Sequence, residues 1–465
     1  MYKHNFHPSI LREYDIRGII NETLYEKDAF MIGYFFGLMC KEKNLNNESN
    51  IVISMDGRLS SPDLKKQTIS GLSKSGCNVI DLGLNPTPIL YFGSHNLNAD
   101  GAIQITGSHN PKNYNGFKMM IKNEPFFGKD IQNLGIKAKS GSNIKMNGSV
   151  ESSNFDEKYL EKILMPLANA KNLKDKKIIW DCGNGATGDI INKIVKLLPC
   201  ENTVLYSEID GNFPNHHPDP SNENNLVKLK QEVKRQNADF GFAFDGDGDR
   251  VGVVTNDGKI VFPDKILMIL SKDILATKKG TIIFDVKCTD SLPKLIKENG
   301  GNPIMYPTGH FNIKNGIKEH NPLLAGEMSG HIFFNDKWYG FDDGIYSGAR
   351  IIELILKNRK SISSLNKELP ELFSTHELNI EVSDESKFEI VKKFIAQCSL
   401  DGDKILIDGL RINFKNGWGL LRASNTTPML VLRFEGDTEE NLIQIKNKFI
   451  KELARICPDI DINLN

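Results

Sequence analysis

Cysteine is scarce and irregularly placed: Cys40, Cys77, Cys182, Cys200, Cys288, Cys398 and Cys457 are the only seven among 465 residues. The count is odd and no CxxC occurs, which argues against a disulfide framework and for reduced thiols in a cytoplasm. No HExxH and no paired His/Cys spacing supports zinc, and His216 and His217 are read as loop residues. Charge of either sign is not in excess: 58 basic against 59 acidic residues leave a net charge of -1. No global field then recruits nucleic acid or an anionic membrane, so an anionic ligand must be held by local basic residues. Long apolar runs are also missing. The longest, 29–39, is too short to cross a bilayer and reads as a buried helix. Residues 1–15 contain no apolar segment of the signal-peptide kind. The expectation is a cytoplasmic chain with neither nucleic acid nor membrane as partner.

Hydrophobic residues make up 39%, enough for real cores, and the length suggests about three domains on a rough scale of 150 residues each. The most informative stretch is Phe242-Ala243-Phe244-Asp245-Gly246-Asp247-Gly248-Asp249-Arg250. The apolar run 240–244 predicts a buried strand. Three aspartates then alternate, so their side chains share one side of an extended segment, and the glycines let the chain curl. Carboxylates crowded in this way repel unless a cation sits among them, and hard oxygen ligands favour Mg²⁺ or Ca²⁺. An EF-hand loop fails on spacing: counted from Asp245, the required Gly and Glu positions hold Arg250 and Asn256. A plain acidic turn is the remaining alternative.

Around this stretch the pattern is α/β. A strand at 51–55 is followed by a helix that starts at Ser61-Pro62-Asp63, with Ser61 as cap, and by a strand at 78–82. Strands at 101–106 and 117–121 flank Gly107-Ser108-His109-Asn110-Pro111. The pattern restarts near Lys176 and again at Asp264, giving three successive α/β units whose strands end in polar loops. After 368 the character changes to a smaller α+β unit with an antiparallel sheet and strands at 404–408, 410–414 and 429–434. The expected domains are 1–152, 153–256, 257–368 and 369–465.

Ligand sites in open α/β sheets lie beyond strand C-termini, which is where Ser108 sits. It is a candidate nucleophile, phosphate carrier or turn residue. Arg12, Arg17 and Lys118 add positive charge to the same domain. Three carboxylates and a phosphoserine of roughly -2 exceed one divalent metal, so cations such as Arg17, Lys118 and Arg250 are needed nearby. Arg422-Ala423-Ser424-Asn425-Thr426-Thr427-Pro428 offers a guanidinium, hydroxyls, an amide and loop N–H groups, a set that suits a phosphate. Glu327, Ser329 and His331 alternate in another loop and suit sugar hydroxyls.

Taken together these loops resemble the α-D-phosphohexomutases, most of all the bacterial phosphomannomutase/phosphoglucomutase branch. The resemblance runs from Tyr14-Asp15-Ile16-Arg17-Gly18 through Thr106 to Pro111, Asp245 to Arg250, Asp285-Val286-Lys287-Cys288-Thr289, Thr308-Gly309-His310 and Gly326 to His331, and ends at the Arg422 loop. Related phosphoglucosamine mutases carry an Arg-Pro-Ser-Gly-Thr-Glu type of loop where this chain has Arg-Ala-Ser-Asn-Thr-Thr. Phe311-Asn312 departs from the Ser-Leu common after this histidine.

The resemblance implies three similar α/β domains with mixed sheets plus a C-terminal α+β domain like the TATA-binding protein, arranged around a central cleft. It implies reversible phosphoryl transfer between positions 1 and 6 of mannose or glucose phosphates, through a phosphoserine at Ser108 and a hexose 1,6-bisphosphate intermediate. Mg²⁺ would be held by Asp245, Asp247, Asp249 and Ser108. Glu327 and Ser329 would bind sugar hydroxyls, with Tyr14, Lys287, Gly309, Met328 and Gly330 beside them. Arg422, Ser424, Asn425, Thr426 and Thr427 would grip the phosphate already on the substrate. Arg17, His109, Lys118, Arg250, His310 and His331 are candidates for charge stabilisation or proton handling. A monomer is expected. A sugar-phosphate-binding protein without activity and a Mg²⁺-dependent phosphatase are the rival readings.

Overall fold

The computed structural model describes residues 1–12, 14–44, 49–167, 173–425 and 427–462. They form two compact units, Met1–Pro263 with Ser329–Ser364, and Asp264–Met328 with Leu365–Asn465.

The first unit holds two mixed sheets. In one, the strands run in the order Ile16–Ile19, Tyr114–Ile121, Gly101–Ile105, Asn50–Met55, Asn78–Leu84 and Val150–Ser152. The first two pairings are antiparallel and the other three parallel. The apolar run at 29–39 lies inside the helix Glu26–Lys43, which buries Phe35, Phe36 and Met39 in this sheet's core. The other sheet runs Ile260–Val261, Val251–Thr255, Phe240–Phe244, Lys177–Asp181 and Glu201–Leu205. Phe240–Phe244 is buried at every position because it is central and covered on both faces, as the unbroken apolar run requires.

The helix Gly344–Asn358 also belongs to this unit. Asp343 caps it, accepting from the Tyr346 N–H at 2.8 Å, and takes the Tyr159 hydroxyl at 3.0 Å. Burial pushes the Asp343 carboxyl up to about 7.

In the second unit Thr281–Asp285 pairs in parallel with Asn302–Tyr306 on one side and Leu324–Gly326 on the other. The chain then builds an antiparallel sheet ordered Phe373–Ser374, Met429–Gly436, Gly417–Ala423, Leu410–Phe414 and Asp403–Ile405, with Leu378–Glu381 also on Met429–Gly436. The helices Lys387–Gln397 and Glu439–Ile456 supply Phe394, Phe449 and Leu453 to its core.

Two local expectations need correction. Ser61 is the first helical residue, not the cap; its hydroxyl donates to Asp56 at 2.6 Å, and Ser60 precedes it. The strand expected at 404–408 ends at Ile405, because Leu406 and Ile407 are exposed and Asp408 turns to bind Arg422. His216 and His217 do lie in a loop, yet both side chains are engaged there. All seven cysteines are free thiols, as their spacing suggested. No described helix is long and apolar enough to cross a membrane.

Candidate active site

Two of the loops singled out in the first unit leave the C-terminal end of a strand. The loop after Gly101–Ile105 carries Ser108, and the loop after Phe240–Phe244 carries the aspartates. Ser108 is 2% exposed and adopts a φ of 47°, a left-handed conformation unusual for a residue with a side chain. Its hydroxyl donates to Asp245 Oδ2 at 2.9 Å, and its N–H donates to Thr106 Oγ1 at 2.8 Å. The two loops touch through backbone: a Cβ on Gly246 would stand 2.4 Å from the Ser108 carbonyl oxygen, so only glycine fits there.

Asp245, Asp247 and Asp249 are fully buried, and one oxygen from each lies within 4.8 Å of the others. Lys118 reaches in from the neighbouring sheet, 2.7 Å from Asp247 Oδ2 and 2.5 Å from Asp249 Oδ2. Thr87 donates to Asp247 Oδ2 at 2.5 Å. Asp247 Oδ1 and Asp249 Oδ1 are buried with no hydrogen-bond partner among the described residues. Buried carboxylate oxygens left without a donor are costly, and a hard divalent cation is the group that relieves this. The donor set therefore fits such an ion.

The electrostatics separate the members of the cluster. Burial, then repulsion from Asp249 and Asp247, holds the Asp245 carboxyl well above the ordinary range. Burial acts the same way on Asp247, but the charge and hydrogen bond of Lys118 outweigh it and pull that carboxyl down. Burial opposes the charge on Lys118, yet Asp247, Asp249 and Asp245 together hold it above its usual value, so it stays an ammonium.

Arg250 donates through Nε to His331 Nε2 at 2.9 Å. His331 Nδ1 faces Asp342 Oδ2 at 3.0 Å and Asp249 Oδ1 at 3.6 Å. With Nε2 accepting, the neutral ring carries its proton on Nδ1. Arg17 pairs with Asp15 at 2.5 Å and donates to Asn110 of the serine loop. His109 Nδ1 lies 3.3 Å from Asp219, and burial followed by the charge of Arg250 holds this imidazole below its ordinary pKa. His217 contacts the carbonyl of His109, and His216 binds Asp181 at 3.0 Å. Arg12 donates to the Ser9 carbonyl at 3.3 Å. Tyr14 is half-buried just before Ile16–Ile19.

Sequence reasoning missed the residues behind Ser108. Arg58 is 1% exposed and donates to the carbonyls of Ser108, Asn110, Pro111 and Tyr114 at 2.6–2.9 Å. Asp56 accepts from Thr106 Oγ1 and the Gly107 N–H at 2.8 and 3.1 Å. The available signal was their place directly after the strand Asn50–Met55.

In the second unit, Lys287 pairs with Glu377 at 2.5 Å; burial disfavours its charge, but Glu377 and Asp285 more than restore it. Arg411 donates to the carbonyls of Val286 and Cys288 at 2.7 and 2.8 Å, and Arg433 takes that of Lys287, so the 286–288 backbone is held from the antiparallel sheet. Glu327 accepts from the Gly309 N–H, just before His310 opens the helix His310–His320. Met328 N–H donates to Asp285 at 3.3 Å. The 326–331 loop crosses from one unit to the other after Met328, and Ser329, half-buried, and Gly330 fall with His331 in the first. Arg422 Nε donates to Asp408 at 2.9 Å, and the Ser424 and Thr427 hydroxyls lie 2.7 Å apart. Asn425 is half-buried beside them, and Thr426 lies outside the described residues.

Four family models match in order along the chain. They are phosphoglucomutase/phosphomannomutase α/β/α domain I at residues 8–143, domain II at 157–258, domain III at 262–373 and the C-terminal domain at 377–452. A phosphomannomutase/phosphoglucomutase of Pseudomonas syringae is 46% identical over 98% of this chain and 97% of its own length. A phosphoglucomutase of Neisseria gonorrhoeae is 44% identical over 95% of each. The crystal structure of a phosphoglucomutase/phosphomannomutase family protein from Burkholderia thailandensis superposes with a TM-score of 0.89 at 39% identity, covering 99% of both chains.

Proposed function

The chain belongs to the phosphoglucomutase/phosphomannomutase family of α-D-phosphohexomutases, and on that premise we propose that it moves a phosphoryl group reversibly between positions 1 and 6 of mannose or glucose phosphates. The observation that carries this reading is the Ser108 hydroxyl 2.9 Å from Asp245, inside a buried cluster of three carboxylates and Lys118.

Ser108 is the proposed phosphoryl carrier. It donates to the sugar phosphate, a hexose 1,6-bisphosphate forms and turns end for end, and the other phosphate returns to the serine. Asp245, Asp247, Asp249 and the Ser108 phosphoryl would hold Mg²⁺, which when bound neutralises charge on the transferring group. Three carboxylates and a phosphoserine of about -2 balance a divalent cation together with Lys118, Arg17 and Arg250. Lys118 is a fixed charge, not a base, because its carboxylate neighbours keep it protonated. His331, held between Arg250 and Asp342, and His109, kept neutral, are the candidates for proton handling, with His310. Arg422, Ser424, Asn425, Thr426 and Thr427 take the non-reacting phosphate. Lys287, Glu327 and Ser329 take the sugar, and Tyr14, Gly309, Met328 and Gly330 are assigned to the same task. Contacts to O3 and O4 survive the turn, and O2 goes unread, which accommodates both sugars. The same reading divides the chain into domains 1–152, 153–256, 257–368 and 369–465, and places it in the cytoplasm, where free thiols persist.

The test is product analysis. With glucose 1-phosphate or mannose 1-phosphate, Mg²⁺ and a trace of hexose 1,6-bisphosphate, the 6-phosphate should form with phosphate retained on sugar. Ser108→Ala should lower turnover by about 10³-fold or more, since no carrier remains. Release of free phosphate in place of the 6-phosphate would make the protein a phosphatase instead, and near-normal turnover of the variant would reject the phosphoserine.

A further inference from the structure

Two carboxylates that take no part in phosphoryl transfer join the substrate loops of the second unit. Asp408 lies in the turn between Asp403–Ile405 and Leu410–Phe414. A single oxygen, Oδ2, accepts from Arg422 Nε at 2.9 Å and from the Thr308 N–H at 3.1 Å. The Thr308 hydroxyl passes the link to Asp285 Oδ2 at 3.1 Å, and Asp285 Oδ1 accepts from the Met328 N–H at 3.3 Å. Beside Thr308, the Gly309 N–H donates to Glu327. Hydrogen bonds joined by the Thr308–Gly309 peptide unit therefore link the phosphate grip at Arg422 to the sugar-facing residue Glu327.

The turn that presents Asp408 is fixed by backbone packing. Gly409 has a φ of 78°, and a Cβ there would stand 2.3 Å from the Leu421 carbonyl oxygen and 2.7 Å from the Arg422 Cα. The carboxylate thus has a set place against the strand that carries Arg422. A carboxylate on Nε fixes the plane of a guanidinium. Because the same oxygen also holds the 308–309 backbone, the two loops keep one register before substrate arrives, and the ordering cost of binding falls.

We propose that Asp408 is a positioning residue that registers the Arg422 phosphate grip against the 308–310 sugar loop, so that a hexose phosphate is read as one rigid template. This rests on the hexose-phosphate reading above. It makes a prediction opposite in sign to simple charge arithmetic. Removing an anion beside Arg422 should tighten phosphate binding if charge alone mattered. Positioning requires binding to weaken, and to weaken more for a hexose phosphate than for phosphate alone.

Calorimetric titration of the full chain tests this, with Ser108→Ala present so that no turnover interferes. Adding Asp408→Ala should weaken glucose 1-phosphate by about tenfold and inorganic phosphate by less than about threefold, the excess being lost preorganisation. With Ser108 intact, Asp408→Ala should raise KM by a similar factor and change kcat by less than about threefold, as expected for lost ground-state positioning. A variant that is merely partly unfolded would show reduced kcat at unchanged KM, which overturns the proposal. So does unchanged or tighter glucose 1-phosphate binding. Asp408→Asn keeps the volume and one acceptor oxygen; it should fold even where the alanine variant does not, and bind glucose 1-phosphate with intermediate affinity. Wild-type affinity in Asp408→Asn together with wild-type affinity in Asp408→Ala ends the idea. A wild-type chain that binds glucose 1-phosphate without isomerising it would overturn the mutase reading and leave this one standing.

Discussion

Arg58 holds the carbonyl oxygen of Ser108 through Nη2 at 2.7 Å while that serine sits in a left-handed backbone conformation. The same guanidinium takes three more carbonyls of the loop, so one buried side chain offsets a strain of about 1–2 kcal/mol and fixes the direction of the hydroxyl. Arg58→Ala would free the loop to relax. The expected loss is about 10²-fold in kcat, from misplacement of the carrier. Stability should fall by about 3 kcal/mol, because buried carbonyls lose their donor and Asp56 Oδ2 loses the Arg58 Nε 3.2 Å away. Steady-state kinetics and urea unfolding check both; a variant with wild-type kcat would show that the loop needs no clamp.

The Asp247 and Asp249 oxygens without donors predict a metal-dependent stability. Chelation should abolish turnover and lower the melting temperature. Mg²⁺ at a hundred times its dissociation constant should restore about 2.7 kcal/mol. In Asp247→Asn the Mg²⁺-induced shift should largely vanish, since a neutral amide is a poorer ligand. Thermal melts with and without Mg²⁺ read this independently of activity, and an identical shift in wild type and variant would contradict it.

Asp343 gives a pH dependence of definite sign. Its carboxyl rises from the usual 3.8 to about 7 on folding. Its stabilising contribution is complete below pH 3.8 and is lost as pH rises through about 7, because only the unfolded chain ionises it freely. Asp343→Asn, which can still cap the helix, should be more stable than wild type at pH 8 by about 2 kcal/mol, allowing for relaxation of the buried site. The stability difference between the two proteins should shrink steadily towards pH 4. Parallel stability curves would refute the shift.

The alternation at Asp245, Asp247 and Asp249 was legible because a two-residue repeat after an apolar run is local information. The strands Asn50–Met55 and Phe240–Phe244 were legible for the same reason. Gly417–Ala423 escaped notice because two glycines interrupt its apolar pattern, although it is central in its sheet. Arg58, Asp56 and Asp408 escaped because their roles arise from partners 50 or more residues away in three cases: Ser108, Thr106 and Thr308. A charged residue in a turn has no periodicity to betray such a partner. Asp408 was even read as the end of a strand, since Leu406 and Ile407 look like core residues and are exposed.

Gly107 adds a constraint on any attempt to move this chemistry elsewhere. A Cβ at that position would stand 2.4 Å from the Arg58 guanidinium, so glycine and arginine are shaped to each other across the sheet edge. The pentapeptide around the serine is therefore not a portable cassette. Grafted onto another scaffold without Asp56 and Arg58 in matching places, it would become an ordinary flexible turn, with its hydroxyl aimed at nothing in particular.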